Sequence, residues 1–151
     1  MLDIYVDADG CPVKDEVYKV ARRYGLLTYV VANRHIRVPF EEKIRAVVVG
    51  DAFDAADDWI AEHVGEDDIV ITADLPLADR CIKAGAAVLG PKGQVHDEDS
   101  IGSALASREL MDQLRQMGMQ TGGPAPMDNR GRSTFLARLD ETIQRIKNAT
   151  G

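Results

Sequence analysis

The chain begins with an apolar run that ends in two aspartates, Leu2-Asp3-Ile4-Tyr5-Val6-Asp7-Ala8-Asp9-Gly10. Because successive side chains of a strand point to opposite faces, Asp7 and Asp9 are expected to point to the same side. Two carboxylates about 4 Å apart repel each other by roughly 4 kcal/mol at an effective dielectric constant near 20. A cation, a shared proton or exposure to water must relieve this repulsion. Ligands of open α/β sheets bind at the carboxyl ends of the strands, so we expect a cation site here.

Apolar runs and helical patterns alternate along the chain and predict an α/β fold. Short apolar runs predict five strands, at residues 2–7, 27–32, 46–49, 69–73 and 86–89. Such runs are typical of strands that are buried on both faces of a parallel sheet. Between them, helices are expected from near Pro12 to Gly25, over about 54–64, and over 76–84. Right-handed crossovers then give a three-layer α/β/α sandwich with a mainly parallel five-stranded sheet.

The C-terminal third predicts further helices. Residues 99–117 are expected to form a helix whose buried set is Ile101, Leu105, Leu110, Leu114 and Met117. A Gly- and Pro-rich stretch, 118–133, predicts a loop, and loops of this length tend to be functional or disordered. Ser133 or Thr134 is expected to cap a last helix, whose buried set is Phe135, Leu136, Leu139, Ile143 and Ile146. We expect one domain over 1–151, with a core at about 1–95 and a C-terminal helical segment at about 99–151.

Composition excludes several classes of protein. With 151 residues and 45% hydrophobic content, the chain has the size and composition of one globular domain. No apolar run approaches the roughly 20 residues of a membrane span, and the first residues lack the pattern of a secretion signal. Cys11 and Cys81 are too few for a disulfide framework. We therefore expect a cytoplasmic protein with free thiols and no membrane partner, and the oligomeric state stays open.

The net charge of −7 argues against a generally basic nucleic-acid-binding protein, but this charge is unevenly distributed. Residues 1–100 carry a net charge of −9, whereas residues 101–151 carry +2. An acidic body beside a basic segment suits a metal-binding core next to an arm that contacts anions. A chance distribution of surface charge explains the same numbers equally well.

A second group of aspartates follows the fourth predicted strand. Asp74 stands where that strand gives way to a helix, and Asp79 lies about one turn into the helix. The ends of the first and fourth strands can be adjacent in a parallel sheet. Such a sheet would bring four carboxylates to one cavity, those of Asp7, Asp9, Asp74 and Asp79. A third group opens the next helix upstream, where Asp54 or Asp57 would complete the cation shell if that helix leans over the cavity.

Oxygen-only clusters select hard cations, so the expected metal is Mg²⁺ or Mn²⁺. The three histidines show no paired helical spacing, which argues against zinc. Simpler roles stay open for each acid: Asp74, and Asp51 or Asp54, as helix N-caps; Asp7 and Asp9 as turn residues; Asp79 as a solvated helix position.

Four segments carry a resemblance to a known family. They read DADGCPVKDE (7–16), GDAFDAADDWI (50–60), DIVITADLPLADRCIKAGA (68–86) and GGPAPMDNRGRSTFLARLD (122–140). Together they resemble the YaiI/YqxD family of uncharacterised bacterial proteins, and the resemblance covers nearly the whole chain. That family is similar to the PIN-like nucleases, whose parallel α/β/α sandwich has strand order 3-2-1-4-5. Their acidic residues hold Mg²⁺ or Mn²⁺ for phosphodiester hydrolysis.

The resemblance implies a metal-dependent nuclease, with RNA as the favoured substrate. By position, Asp7 and Asp74 match the primary metal ligands, Asp79 resembles the following helix acid, and Asp54 or Asp57 resembles the acid of the middle helix. Asp9 departs from the usual pattern because it doubles the first-strand acid. The expected catalytic set is Asp7, Asp9, Asp74 and Asp79. Four basic residues would contact phosphates, because an acidic pocket alone repels a polyanion: Lys14, Arg34, Arg130 and Arg132.

Two other functions fit the same residues. Asp7-Ala8-Asp9-Gly10 matches the nucleophile motif of haloacid dehalogenase-like phosphatases, in which Asp7 would attack phosphorus. Against this, Val31-Ala32-Asn33 stands where that group has a Ser or Thr. The remaining alternative is a non-catalytic module of the PIN-like fold that binds RNA or protein. Four acids kept in one pocket without a cation are costly, which argues against that alternative.

Overall fold

The computed structural model describes residues 2–9, 11–50, 52, 54–118 and 127–150. Within these residues, strands and helices alternate as an α/β fold requires. The strands are β1 (Ile4–Asp7), β2 (Thr28–Ala32), β3 (Ile44–Val48), β4 (Ile69–Ile71), β5 (Ala87–Leu89) and β6 (Val95–His96). The helices are α1 (Lys14–Tyr24), α2 (Ala55–His63), α3 (Leu75–Lys83), α4 (Glu98–Gln116) and α5 (Asn129–Thr150).

All of the strands belong to one sheet with the order β3-β2-β1-β4-β5-β6. The first five strands are parallel to their neighbours, and β6 runs antiparallel to β5. The mainly parallel sheet is confirmed, and the first five strands follow the order 3-2-1-4-5 that the resemblance implies. The sheet has a sixth strand because Val95 and His96 pair with β5 after a tight turn, in which Gly90 N donates to Gln94 O at 2.8 Å. Two residues are too few to give a recognisable strand pattern in the sequence.

Helices cover both faces of the sheet, which gives the expected three layers. One face buries Ile4 and Val6 of β1 against α1 and α5, which contribute Val17 and Phe135 among others. The opposite face buries its side chains against α2, α3 and the start of α4. Tyr5 points to this second face. Because side chains alternate along β1, Asp7 points to the same face as Tyr5, towards α2 and α3.

The C-terminal helix α5 packs into the same core as the sheet. The expected apolar positions Phe135, Leu139, Ile143 and Ile146 are buried against α1 and β1, and Leu136 packs against them. The predicted cap is wrong, since α5 begins at Asn129 rather than after Ser133 or Thr134. Asp128 starts the helix, because its Oδ1 accepts the Gly131 N–H at 2.8 Å. Residues 119–126 of the predicted loop lie outside the described residues.

The predicted burial of α4 is wrong in its second half. Ile101 is buried and Leu105 packs against the same cluster. Leu110 is 54% exposed and Met117 is 75% exposed, so these two expected core positions face water. In the part of the chain that the structure describes, no helix is long and apolar enough to cross a membrane.

Candidate functional site

A cavity of about 600 Å³ lies at the carboxyl edge of the sheet. It is formed by residues that follow β1, β2, β3 and β4, together with the start of α2 and one residue of α4. Its lining comprises Asp7, Asp9, Asn33, Ala52, Asp54, Ala56, Asp57, Ala73, Asp74 and Arg108. Five of the six acids expected at a cation site therefore line one cavity. Asp51, the alternative cap of α2, lies outside the described residues.

Asp7 is the most buried acid of the cavity, at 9% exposure. Its Oδ2 accepts a hydrogen bond of 2.8 Å from the hydroxyl of Thr72, the residue that follows β4. Burial raises the pKa of Asp7, and the charges of Asp9 and Asp74 raise it further, while the bond from Thr72 opposes the shift. The carboxylate is thus held in place between two neighbouring strand ends, at an electrostatic cost that a cation would relieve.

Asp74 is both a helix cap and a lining residue. Its Oδ1 accepts the Leu77 N–H at 3.0 Å, which caps α3, and its own N–H donates to Thr72 Oγ1 at 3.0 Å. The simpler role expected for this residue is therefore present, and the same carboxylate also lines the cavity. The partial positive charge of the α3 N-terminus favours an anionic group at this position.

Asp57 has the largest electrostatic perturbation among these acids. It lies in the first turn of α2, and its pKa is raised from 3.8 to about 7. Burial is the main cause, followed by the charges of Asp74, Asp7 and Asp54, and protonated Asp57 also donates a hydrogen bond to the Asp74 carboxylate. In the absence of a cation, Asp57 therefore retains its proton up to near-neutral pH, because it is partly buried beside negatively charged neighbours.

Asp9 and Asp54 complete the acidic lining. Asp9 Oδ2 accepts a hydrogen bond of 3.2 Å from Asn33 Nδ2, which joins the segments after β1 and β2. Asp54 precedes α2 in a left-handed conformation with φ of 60°, and within the described residues its side chain makes no capping hydrogen bond. The Asp54 carboxylate is exposed and lines the cavity instead.

The sixth expected acid, Asp79, does not line this cavity. Positions 77, 78, 81 and 82 form the buried face of α3, so the intervening Asp79 lies on the outer side of the helix. Its Oδ2 binds Lys83 Nζ at 2.8 Å, one turn further along. The expected grouping of Asp79 with Asp74 is therefore wrong, since five residues of helix turn the two side chains away from each other.

Two of the four residues expected to contact phosphate make hydrogen bonds to the segment between β1 and α1. Lys14 Nζ donates to the carbonyl oxygens of Ala8 and Cys11, at 3.3 Å and 3.1 Å. Arg132 Nη1 donates to Pro12 O at 2.8 Å and to Glu16 Oε1 at 3.0 Å. These bonds fix the segment between β1 and α1 that carries Asp9. Neither residue lines the cavity.

Arg34 and Arg130 are exposed, and neither belongs to the cavity lining. Arg34 directly follows Asn33, a lining residue, whereas Arg130 belongs to the first turn of α5. Arg130 and Arg132 were expected in a loop, but both are helical because α5 begins earlier than predicted.

Two polar residues of the lining are not among the predicted site residues, Asn33 and Arg108. Asn33 follows β2, and its position at a strand end was the available signal. Arg108 continues the inner face of α4, three residues beyond Leu105 and seven beyond Ile101. Arg108 could have been noticed because it is a charged residue at a position where the apolar stripe of α4 would continue. The prediction that Leu110 is buried placed the apolar stripe on a different face of the helix.

The donor set fits a hard cation. Every acidic lining residue offers carboxylate oxygens, and Asn33 adds an amide oxygen, whereas histidine and cysteine are absent from the described lining. Across the described residues, no three acidic, His or Cys side chains are arranged to hold one ion. Carboxylate and amide oxygens are ligand types of Mg²⁺, which is usually held by one or two carboxylates, with water and substrate phosphate supplying the other ligands.

The sheet and its edge define the class of protein: an α/β/α sandwich with an acidic cavity at the carboxyl ends of parallel strands. A family model described as the uncharacterised YaiI/YqxD family matches residues 5–145. The chain belongs to this family.

Three similar relatives carry only a family designation in their names. A UPF0178 protein of Bradyrhizobium sp. (strain ORS 278) is 58% identical over 146 residues, which cover 97% of this chain and 89% of the relative. A UPF0178 protein of Rhodopseudomonas palustris (strain BisB5) is 60% identical over 143 residues, which cover 95% of this chain and 87% of the relative. For a UPF0178 protein of Azorhizobium caulinodans the identity is 54% over 148 residues, 98% of this chain and 93% of the relative. No solved structure matches the chain significantly.

Proposed function

We propose that this protein is a divalent-metal-dependent nuclease that hydrolyses phosphodiester bonds, with RNA as its substrate. One observation carries the proposal: five carboxylates, from the ends of β1 and β4 and from the start of α2, line a single cavity, where burial and then the neighbouring negative charges raise the pKa of Asp57 to about 7. Such crowding is costly unless a cation offsets it, and perturbed pKa values of this kind cluster at functional sites.

Asp7 and Asp74 are the proposed primary ligands of Mg²⁺ or Mn²⁺, with Asp9 and Asp54 close by. The Thr72 hydroxyl orients the Asp7 carboxylate and also accepts the backbone N–H of Asp74. When bound, the cation would lower the pKa of a coordinated water and offset the charge that develops on phosphate oxygens.

Asp57 is the proposed proton acceptor. A general base is most effective when its pKa lies near the operating pH, and the raised pKa of Asp57 meets that condition in the free protein. Its carboxylate would accept the proton that the attacking water loses. Asp57 and the proposed ligand Asp74 line the same cavity, which places this base beside the proposed cation.

RNA and a cytoplasmic location are the finer parts of the proposal. The resemblance to PIN-like nucleases favours RNA, and the strand order agrees with that resemblance. Cys11 and Cys81 are both buried free thiols, which suits a reducing compartment.

The test is cleavage of end-labelled single-stranded RNA by the wild-type protein in Mg²⁺ or Mn²⁺. The wild type is expected to cleave and to lose activity with excess EDTA. Asp7→Asn and Asp57→Asn are each expected to lower the rate by roughly a hundredfold or more. The matched control is Asp58→Asn, which removes the neighbouring acid of α2, a surface residue paired with Arg80 at 2.8 Å. This control is expected to cleave at the wild-type rate.

The same assay separates the alternatives. RNA binding without hydrolysis, unchanged in Asp7→Asn, would favour the non-catalytic module. Turnover of a small phosphomonoester, with a phosphoaspartate at Asp7, would favour the phosphatase. Asp7 is 9% exposed and its Oδ2 accepts the Thr72 hydroxyl, an arrangement better suited to a fixed ligand than to a nucleophile that must reach phosphorus.

A further inference from the structure

Arg108 is the one basic side chain in the described lining of the acidic cavity. It lies on α4, whose Ile101 and Leu105 pack against α3 on the same helix face. This packing holds the first half of α4 against α3, and Arg108 follows on the same helix face and lines the cavity. The cavity is therefore acidic on the side of the strand ends and α2, with a positive charge contributed by a separate helix.

Other basic side chains nearby are engaged in ion pairs. Arg80 pairs with Asp58 at 2.8 Å, Lys83 pairs with Asp79, and Arg115 of α4 pairs with Asp112. Across the described part of the chain, no carboxylate oxygen lies within 4.0 Å of a guanidinium nitrogen of Arg108. An arginine beside five carboxylates thus keeps its planar set of donors available for another anion.

We propose that Arg108 binds a phosphate group of the substrate strand next to the scissile phosphate. This inference rests on the proposed function and names the feature that selects a polynucleotide over a small phosphodiester. A guanidinium group matches phosphate because two parallel N–H donors can bond two phosphate oxygens. A polyanion that approaches five carboxylates also requires a local positive charge. Lys14 and Arg132, which bond to the segment after β1, do not supply that charge to the cavity.

The deciding measurement is the affinity for a short fluorescein-labelled single-stranded RNA, followed by anisotropy as salt is increased. Ca²⁺ replaces Mg²⁺ to slow hydrolysis. Arg108→Ala is expected to bind about tenfold more weakly at low salt. Its log–log salt dependence is expected to be shallower by about 0.7, the value for one lost phosphate contact on a single strand. Arg108→Lys keeps the positive charge but lacks the two parallel N–H donors of a guanidinium group. Its RNA affinity is expected to lie between those of the wild type and Arg108→Ala.

The matched control is Arg115→Ala, which removes the same charge two turns further along α4, outside the cavity lining. It is expected to keep the wild-type affinity and salt dependence. Absence of RNA binding by the wild type, equal affinity of Arg108→Ala and the wild type, or an equal loss in Arg115→Ala would each overturn the inference. Because Arg108 is exposed, the variant is expected to keep the wild-type melting temperature.

A second substrate separates this inference from the proposed function. Bis(para-nitrophenyl) phosphate is a phosphodiester with no neighbouring phosphate. Arg108→Ala is expected to lose more activity towards RNA than towards this small substrate, whereas Asp57→Asn is expected to lose activity towards both. If the wild-type protein hydrolyses neither this substrate nor RNA, the proposed function fails. In that case the RNA affinity of Arg108→Ala, compared with that of the wild type, still decides whether Arg108 contacts phosphate.

Discussion

The hydroxyl of Thr72 donates a hydrogen bond of 2.8 Å to Oδ2 of Asp7, joining the residue after β4 to the last residue of β1. The same hydroxyl oxygen accepts the N–H of Asp74 at 3.0 Å. Thr72 is only 2% exposed, so both bonds form away from water. One buried hydroxyl therefore links the carboxylate of Asp7 to the backbone of Asp74, and we propose that these two residues hold the cation.

Thr72→Val tests this relationship, because valine has nearly the same shape and no hydroxyl. We expect the free energy of unfolding to fall by about 1–3 kcal/mol, since the buried Asp7 carboxylate loses its partner. The pKa of Asp7 is also expected to rise further, because a hydrogen bond to the charged form is removed. Denaturant unfolding at neutral pH measures the first effect. Thr72→Ser, which keeps the hydroxyl, serves as the control, and equal stability of the valine variant and the wild type would contradict the account.

The raised pKa of Asp57 predicts how stability changes with pH. The folded state holds the Asp57 proton up to about pH 7, whereas an unfolded chain releases it near 3.8. Protonation therefore favours the folded state, and this contribution is lost as the pH rises from about 4 to above 7. Asp57→Asn removes the titrating carboxyl group and with it the negative charge that destabilises the fold at high pH. The variant is therefore expected to be more stable than the wild type at alkaline pH, by roughly 1 kcal/mol after solvent screening. Near pH 4 the difference is expected to disappear.

Unfolding in denaturant across this pH range checks the prediction. Asp58→Asn is the control, because Asp58 pairs with Arg80 at the surface and is not part of the acidic lining. A wild type and an Asp57→Asn variant with parallel stability profiles would mean that Asp57 is not crowded by its neighbours.

The two acids of the α3 segment are expected to respond differently to the same substitution. Asp74→Asn is expected to lower RNA cleavage by roughly a hundredfold. Its fold is expected to be retained, because asparagine is as good an N-cap as aspartate. Asp79→Asn is expected to keep activity, since Asp79 pairs with Lys83 outside the cavity. Initial cleavage rates measure both effects. A larger loss of cleavage activity in Asp79→Asn than in Asp74→Asn would support the role that the resemblance implies for Asp79, and would contradict its placement outside the site.

Sequence patterns predicted the sheet well, because buried parallel strands are apolar on both faces and their ends are marked by polar residues. Asp7, Asp9 and Asp74 follow from this rule, as residues at strand ends. Asp79 could not be placed in the same way, because its direction depends on which face of α3 is buried. The contacts of Lys14 and Arg132 could not be predicted, because each bonds to backbone carbonyl oxygens, which no sequence pattern reveals.

The error in α4 has a testable consequence for stability. Ile101→Ala is expected to lower the free energy of unfolding by about 2–4 kcal/mol, because the side chain is buried against α3. Leu110→Ala is expected to change it by less than about 0.5 kcal/mol, because Leu110 is 54% exposed and alanine is a good helix former. Denaturant unfolding of the two variants provides the comparison. Similar losses in both would show that the second half of α4 is packed.

The most direct test of the central claim is a calorimetric titration with Mn²⁺, with and without a saturating mononucleotide that supplies phosphate oxygens. The account predicts saturable Mn²⁺ binding by the wild type, tighter in the presence of the mononucleotide. Binding should be lost or strongly weakened in both Asp7→Asn and Asp74→Asn, and retained in Asp58→Asn. Absence of Mn²⁺ binding by the wild type under both conditions, or equal binding by all four proteins, would contradict a cation site at the ends of β1 and β4.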